Sequence, residues 1–324
     1  MDQESTSNRE TYRNEPEKRM PVGLLSSGFA LFISLLWGGT NVSIKASLKH
    51  GSPLQIGWMR FVLGGVVILG YMLFRRESLK IARHEAKPVA IIGLLFSIQI
   101  VFMNVGQDLT TAGHGLALNT TYPIWAAIIA HLLIPSDRLT RWKLLAIAFS
   151  YGGILVVVFG DTAIVSEGVS VRGDAFSLIS AVLLGFRMVL LSNFSQKVSE
   201  AKLMYGQAMV AIPLFLIGSY IFEQPVYSAE PLFLLAIAYQ GFVIAGFGFL
   251  GNAWLMKKYL PSTIGFFYFI QPVAGVVLAW LILGEDPGRG LIAGLILVCA
   301  GAIIFSSESI IKARRHEAQV SITD

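Results

Sequence analysis

Residues 88–108 read P-V-A-I-I-G-L-L-F-S-I-Q-I-V-F-M-N-V-G-Q-D, and a second apolar run opens at Ala112. A bilayer core about 30 Å thick takes about 20 mostly apolar helical residues to cross. This stretch is long enough, and its one charge, Asp108, stands at its very end. Gln107 to Ala112 leave room only for a short hairpin, so the chain crosses and returns at once over 112–134. That hairpin fixes the number of crossings in the first half.

Outward from it, islands of charge delimit further runs at 22–45, 53–74, 141–160, 173–196, 202–222, 231–256, 261–283 and 288–307. Pro53, Pro88, Pro231 and Pro261 each open a run, where a missing N–H costs nothing. Composition agrees: of 324 residues 54% are hydrophobic and 14% charged, against about 25% charged in an ordinary soluble domain. The mean hydropathy is +0.65. A net charge of +5 does not point to nucleic acid, because no basic face is left once the apolar runs are buried. Cys299, the single cysteine, lies in an apolar run, which excludes a disulfide scaffold. The expected fold is an all-α polytopic membrane protein with ten transmembrane helices.

Residues 1–21 interleave basic and acidic groups without an apolar core and read as a disordered cytoplasmic tail. The run after them is too long for a signal-peptide core, and no small-residue cleavage site follows it. Lysine and arginine placement sets the orientation. With the N-terminus inside, Lys45, Lys49, Arg172 and Arg289 face outward and Arg60 and Arg187 lie within spans, leaving 19 of the 25 basic residues on the inner side. Both termini are expected in the cytoplasm, the protein sitting in the plasma or inner membrane.

The chain also aligns with itself. Pro123 and Pro272 are 149 residues apart, as are Asp137 and Asp286, Gly152 and Gly301, and Ile154 and Ile303. With one-residue gaps, Asn104 meets Asn252, Gly93 meets Gly241 and Gly38 meets Gly185. The expected organisation is a first five-helix repeat at 22–160, an outer linker at 161–172, a second repeat at 173–307 and a cytoplasmic tail at 308–324. Five is odd, so the second repeat enters the membrane in the opposite sense. Inverted repeats of this kind build many secondary transporters, with the substrate near the midplane between the halves.

The same residues resemble a known family. W-G-G-T-N-V-S-I-K from Trp37 to Lys45, followed by Pro53 and Arg60 in P-L-Q-I-G-W-M-R-F, is similar to the opening of EamA-type drug/metabolite transporters. Q-P-V-A-G-V-V-L-A-W-L-I-L-G-E from Gln271 to Glu285, with the glycine-spaced helix Gly290 to Gly301, resembles the end of their second repeat. The resemblance implies a ten-helix inverted-repeat fold and movement of small metabolites, often export of amino acids, related compounds or drugs. One departure is visible: Pro135-Ser136 stands where the second repeat has Gly284-Glu285 and the family often has an acid.

Polar groups inside spans are the candidate site residues. An ionisable side chain there costs about 3 kcal/mol even on insertion scales, and it faces a cavity or a partner. Arg187, near the middle of its span with no acid within a turn, reads either as an anchor for an anionic group or as a tether to another helix. Arg60, two turns from the outer side, reads as a carbonyl cap or a substrate contact. Trp37, Asn41 and Lys45 are spaced four apart and share one helix face, although Lys45 can also reach the headgroups. Asn104, Asn119 and Tyr122 precede Pro123, and Tyr268 and Gln271 precede Pro272. Proline frees a carbonyl a turn earlier, and paired helix breaks at matching places in two repeats point to a midplane site. Asp108, His114 and His131 could in principle relay protons, but Asp108 and His114 read as solvated groups flanking the hairpin and His131 lies near the inner end of its span.

No histidine–cysteine cluster has metal spacing and no glycine-rich lysine loop cradles nucleotide, so no metal or cofactor is expected. The expected partners are a small-molecule substrate and the lipid bilayer. A membrane-embedded enzyme acting on lipid or headgroup substrates is the alternative; it needs clustered acids, histidines or serines at one membrane face. A receptor needs a sizeable soluble module or long signalling loop. A secondary transporter fits best.

Overall fold

The computed structural model describes residues 22–134, 139–159 and 168–304 apart from 287, 298 and 302. Both expected tails, Pro135-Ser136 and most of the expected linker lie outside the described residues. Among the described residues every regular element is a helix.

In chain order these are α1 (Leu24–Gly38), α2 (Thr40–Leu48), α3 (Pro53–Phe74), α4 (Arg83–Leu109), α5 (Ala112–Asn119), α6 (Tyr122–Leu133), α7 (Arg141–Phe159), α8 (Val171–Phe194) and α9 (Glu200–Phe222). They are followed by α10 (Pro231–Lys258), α11 (Pro261–Gly265), α12 (Ile270–Leu283) and α13 (Arg289–Gly301). Seven helical stretches are long and apolar enough to cross a membrane: α1 with α2, α3, α4, α5 with α6, α8, α9 and α10. α12 and α13 are shorter apolar helices.

Side chains are sorted as a lipid solvent requires. Asn104, Gln107 and Gln240 are fully buried, while Leu25 is 92% and Phe74 85% exposed. With no water in the bilayer core, polar groups must be satisfied inside the protein. The chain is an integral membrane protein.

Helix ends follow local chemistry. Pro53 opens α3, and Gln55 Oε1 accepts from the Ser52 N–H at 3.4 Å. Thr111 caps α5, its Oγ1 accepting from the His114 N–H at 3.2 Å. Pro88 does not open its helix as expected: α4 starts five residues earlier, at Arg83. Glu85 Oε2 accepts from the Ala82 N–H at 2.8 Å and its carboxylate takes Lys202 Nζ at 2.9 Å. The capped first turn offsets part of the cost of the bond lost at Pro88.

Several helices are interrupted near their middles. Gly39 separates α1 from α2, its N–H reaching back to Leu36 O at 3.3 Å. Thr120 and Thr121 separate α5 from α6, and their hydroxyls take the loosened carbonyls of Leu116, Ala117 and Leu118. A 3-10 turn at Phe266–Phe269 precedes α12 and Pro272, and α10 contains a π-helical segment, Tyr239–Gly248. Packing is mostly between the two halves of the chain: α4 on α8 and α9, α3 on α9 and α10, α6 on α8, and α1 on α12.

Candidate functional site

The interruptions converge on one cavity. Trp37 and Asn41 enter it from either side of the Gly39 break, Arg60 from α3, Gln99 and Met103 from α4, and Asn119 and Tyr122 from either side of the threonine turn. The second half contributes Arg187 from α8, Gln240 and Ala245 from the π segment, Phe249 and Gln271. π segments widen a helix locally and leave carbonyls less tightly held, which suits a binding wall. The volume is about 60 Å³, well below the roughly 150 Å³ that accommodates a benzene ring. At this size a ring-sized solute enters only after the helices part.

Both intramembrane arginines are here, each 3% exposed. Arg60 donates to Gln240 Oε1 and Asn104 Oδ1, both at 3.3 Å, and Arg187 donates to Gln207 Oε1 at 2.8 Å. All these partners are neutral. The Arg60 guanidinium lies 4.8 Å from the Phe61 ring centre; that of Arg187 lies 5.0 Å from Phe96 and 5.8 Å from Phe249. Ring faces stabilise desolvated cations by about 2 kcal/mol or more. The Nε of each arginine is buried without a hydrogen-bond partner.

An aromatic wall closes another side. Trp37 stacks on Tyr268 at 5.4 Å with 29° between planes, and Tyr122 lies 6.0 Å from Tyr268. Tyr268 itself sits behind the wall, its hydroxyl donating to Asn252 Oδ1. Asn119 is held through Ser180, whose Oγ accepts from Gln99 Nε2 at 3.0 Å and donates to Asn119 Oδ1 at 3.1 Å. Asn41 Oδ1 accepts from Gln107 Nε2 at 3.1 Å.

The remaining sequence candidates stand outside the cavity. Lys45 does not continue the Trp37–Asn41 stripe. Its Nζ donates to the carbonyls of Gln107 (2.8 Å), Asp108 (3.3 Å) and Thr110 (2.6 Å), closing the C-terminal end of α4. A cation over orphan carbonyls at a helix C-terminus is where the helix dipole favours it. Asn104 supports Arg60 from behind and donates to Pro53 O at 2.7 Å. His114 is not solvated as expected: it is buried, with Nδ1 3.1 Å from Asp174 Oδ2, while Asp174 Oδ1 accepts from Thr110 Oγ1 at 2.7 Å. His131 Nδ1 accepts from the Leu139 N–H at 3.1 Å.

Gln99, Gln207, Gln240, Phe96 and Phe249 escaped the sequence reading. The three glutamines were legible as amides inside apolar runs; the rings had no signal, since phenylalanine is ordinary in a span.

The sequence signature of the EamA-like transporter family matches residues 25–159 and again 171–307. The cavity therefore lies between the two matched segments. The chain is similar to the uncharacterized transporter YoaV of Bacillus subtilis (strain 168), 23% identical over 272 residues, covering 83% of this chain and 92% of that one. It is 24% identical over 295 residues to a probable amino-acid metabolite efflux pump of Salmonella typhimurium, covering 85% and 92% of the two chains. An S-adenosylmethionine/S-adenosylhomocysteine transporter of Chlamydia trachomatis is 25% identical over 278 residues, covering 82% and 84%. A solved crystal structure superposes with a TM-score of 0.70 over 90% of this chain and 98% of that one at 18% identity, a likeness of fold. These relatives are transporters, not enzymes, and with two matches spanning most of its length the chain belongs to the EamA-like transporter family.

Proposed function

We propose that the protein is a secondary transporter that exports small organic metabolites across the cytoplasmic membrane by alternating access. Its working unit is ten transmembrane helices in two inverted five-helix repeats, 22–160 and 173–307, joined by an outer linker at 161–172, with tails 1–21 and 308–324 in the cytoplasm. The observation that carries this reading is the cavity between the halves, with seven of the ten sequence-derived candidates on its wall: Trp37, Asn41, Arg60, Asn119, Tyr122, Arg187 and Gln271. Tyr268 backs that wall, and Asn104 and Lys45 hold its helices in place. Pro123 and Pro272 lie beside the interruptions in α5–α6 and before α12, where rocking of one half on the other can be absorbed.

Export follows the efflux pump among the relatives, and amino acids and drugs are the first classes to test. The decisive measurement is uptake and efflux in reconstituted vesicles with labelled amino acids, sugars and drugs, with and without a pH gradient. Movement of at least one class is expected. No movement under any gradient, by protein that remains folded, would defeat the carrier reading.

A further inference from the structure

The charge in the cavity has no counterpart. Among the described residues no aspartate or glutamate lines it, whereas Arg60 and Arg187 both do. Ion pairs among the described residues lie elsewhere: His114 with Asp174, Lys202 with Glu85 and Lys257 with Glu200. Each arginine is held by amides and phenylalanine rings, and the rings join the two sites, since Phe61 and Phe96 are 4.8 Å apart. Two desolvated guanidiniums facing neutral groups are costly in a membrane. The unpaired buried groups share this polarity. Arg60 Nε, Arg187 Nε and Trp37 Nε1 are donors and the Tyr122 hydroxyl can donate or accept, against one pure acceptor at the wall, Gln99 Oε1.

We infer that the transported solute is an organic carboxylate with a flat aromatic body and no ammonium group. This rests on the carrier reading and narrows its substrate. A carboxylate offers only acceptors, matches a planar guanidinium fork geometrically and neutralises charge that the protein leaves open. A cationic solute would add a third positive charge to the cavity. A zwitterion would bring an ammonium with no acid to meet it. The Trp37–Tyr268 stack and Tyr122 form the surface against which a ring lies.

The test uses three compounds sharing one ring and chain: 3-phenylpropionate, phenylalanine and phenethylamine, which are anion, zwitterion and cation. In proteoliposomes of the full chain, 3-phenylpropionate should enter at least tenfold faster than in protein-free vesicles, with the other two at background. In detergent, only 3-phenylpropionate should raise the unfolding temperature, a reading that needs no variant. Arg187→Gln, checked for a monodisperse folded state, should lose at least tenfold of the uptake. Phenylalanine or phenethylamine moving as well as the anion would overturn the inference and leave the carrier standing. So would transport of a sugar or drug with no response to 3-phenylpropionate in either assay. Folded protein that moves no solute at all would overturn carrier and substrate class together.

Discussion

Gly38 lies directly against Gln271: a Cβ on Gly38 would stand 3.1 Å from the Gln271 carbonyl oxygen and 2.8 Å from Ala274 Cβ. Gly185 meets the other half in the same manner, 2.8 Å from the Tyr122 carbonyl oxygen, 2.8 Å from Trp125 Cβ and 2.7 Å from the Ala126 nitrogen. Tyr122, Trp125 and Ala126 map onto Gln271, Ala274 and Gly275 by the offset that aligns Pro123 with Pro272. One helix–helix approach therefore occurs twice, each time between opposite halves of the chain, and each time beside cavity-lining residues. Small residues that let backbones approach are the usual means of helix association where lipid removes the hydrophobic drive.

Gly38→Val and Gly185→Val should accordingly destabilise by similar amounts, about 1–3 kcal/mol each, the range for overpacking a tight contact. Gly70→Val is the control, since nothing lies within 4 Å of a Cβ there. Thermal unfolding in detergent checks this. A glycine pair no more sensitive than Gly70 would remove the matched contact from the account.

The break at Gly39 depends on a single ring. A Cβ at Gly39 would come 2.7 Å from Tyr239 Oη and 3.1 Å from its Cζ, and that hydroxyl donates to Leu36 O. Gly39→Ala should lower stability by roughly 1–3 kcal/mol. Adding Tyr239→Phe, which removes the nearest atom, should recover part of that loss. Additive losses in the double variant would contradict the contact.

Hydropathy alone made seven of the expected crossings legible, because a lipid solvent imposes an apolar run of fixed length. Pro123 and Pro272 likewise marked the neighbourhoods where helices are interrupted. The π segment at Tyr239–Gly248, which packs against α3, was not legible: Y-Q-G-F-V-I-A-G-F-G reads as an unbroken apolar helix. Lys45 misled for a related reason. Helical spacing of four put it on the Trp37–Asn41 face, but the carbonyls at the end of α4 take its ammonium. The arginines stood out from sequence as charges in spans. Their neutral partners did not, because Gln207 and Gln240 become informative only when seen beside a guanidinium.

Gln207 offers a way to separate folding from binding. It is the acceptor for Arg187 Nη1 at 2.8 Å. Gln207→Leu removes a hydrogen bond to a charged group and should cost about 1.5–3 kcal/mol. Gln207→Glu keeps the acceptor and neutralises Arg187, so the fold should survive while anion uptake falls at least tenfold. Uptake undiminished in Gln207→Glu would mean that the Arg187 charge is not used by the solute.

Two carboxylates from the second half latch helix starts of the first. Glu223 accepts from the N–H groups of Leu54 at 2.8 Å and Gln55 at 3.0 Å, at the start of α3. Glu285 accepts from Ala112 and Gly113, both at 3.0 Å, at the start of α5. Lys45 ties the end of α2 to the end of α4, which places both latches on the same face of the bundle. Losing a helix-start cap costs about 0.5–2 kcal/mol, a shift of about 2- to 30-fold in any equilibrium that breaks it. Under the proposed alternating access, an opening of the cavity toward that face would separate the halves and break both latches, so Glu223→Ala and Glu285→Ala should each favour the open form. A reporter is available: with Cys299→Ala removing the native thiol, Met103→Cys places a new one on the cavity wall. A membrane-impermeant thiol reagent added on that face should label the reporter several-fold faster in either alanine variant than in the parent. Unchanged labelling in both, with transport intact, would show that the latches hold helix ends without governing access.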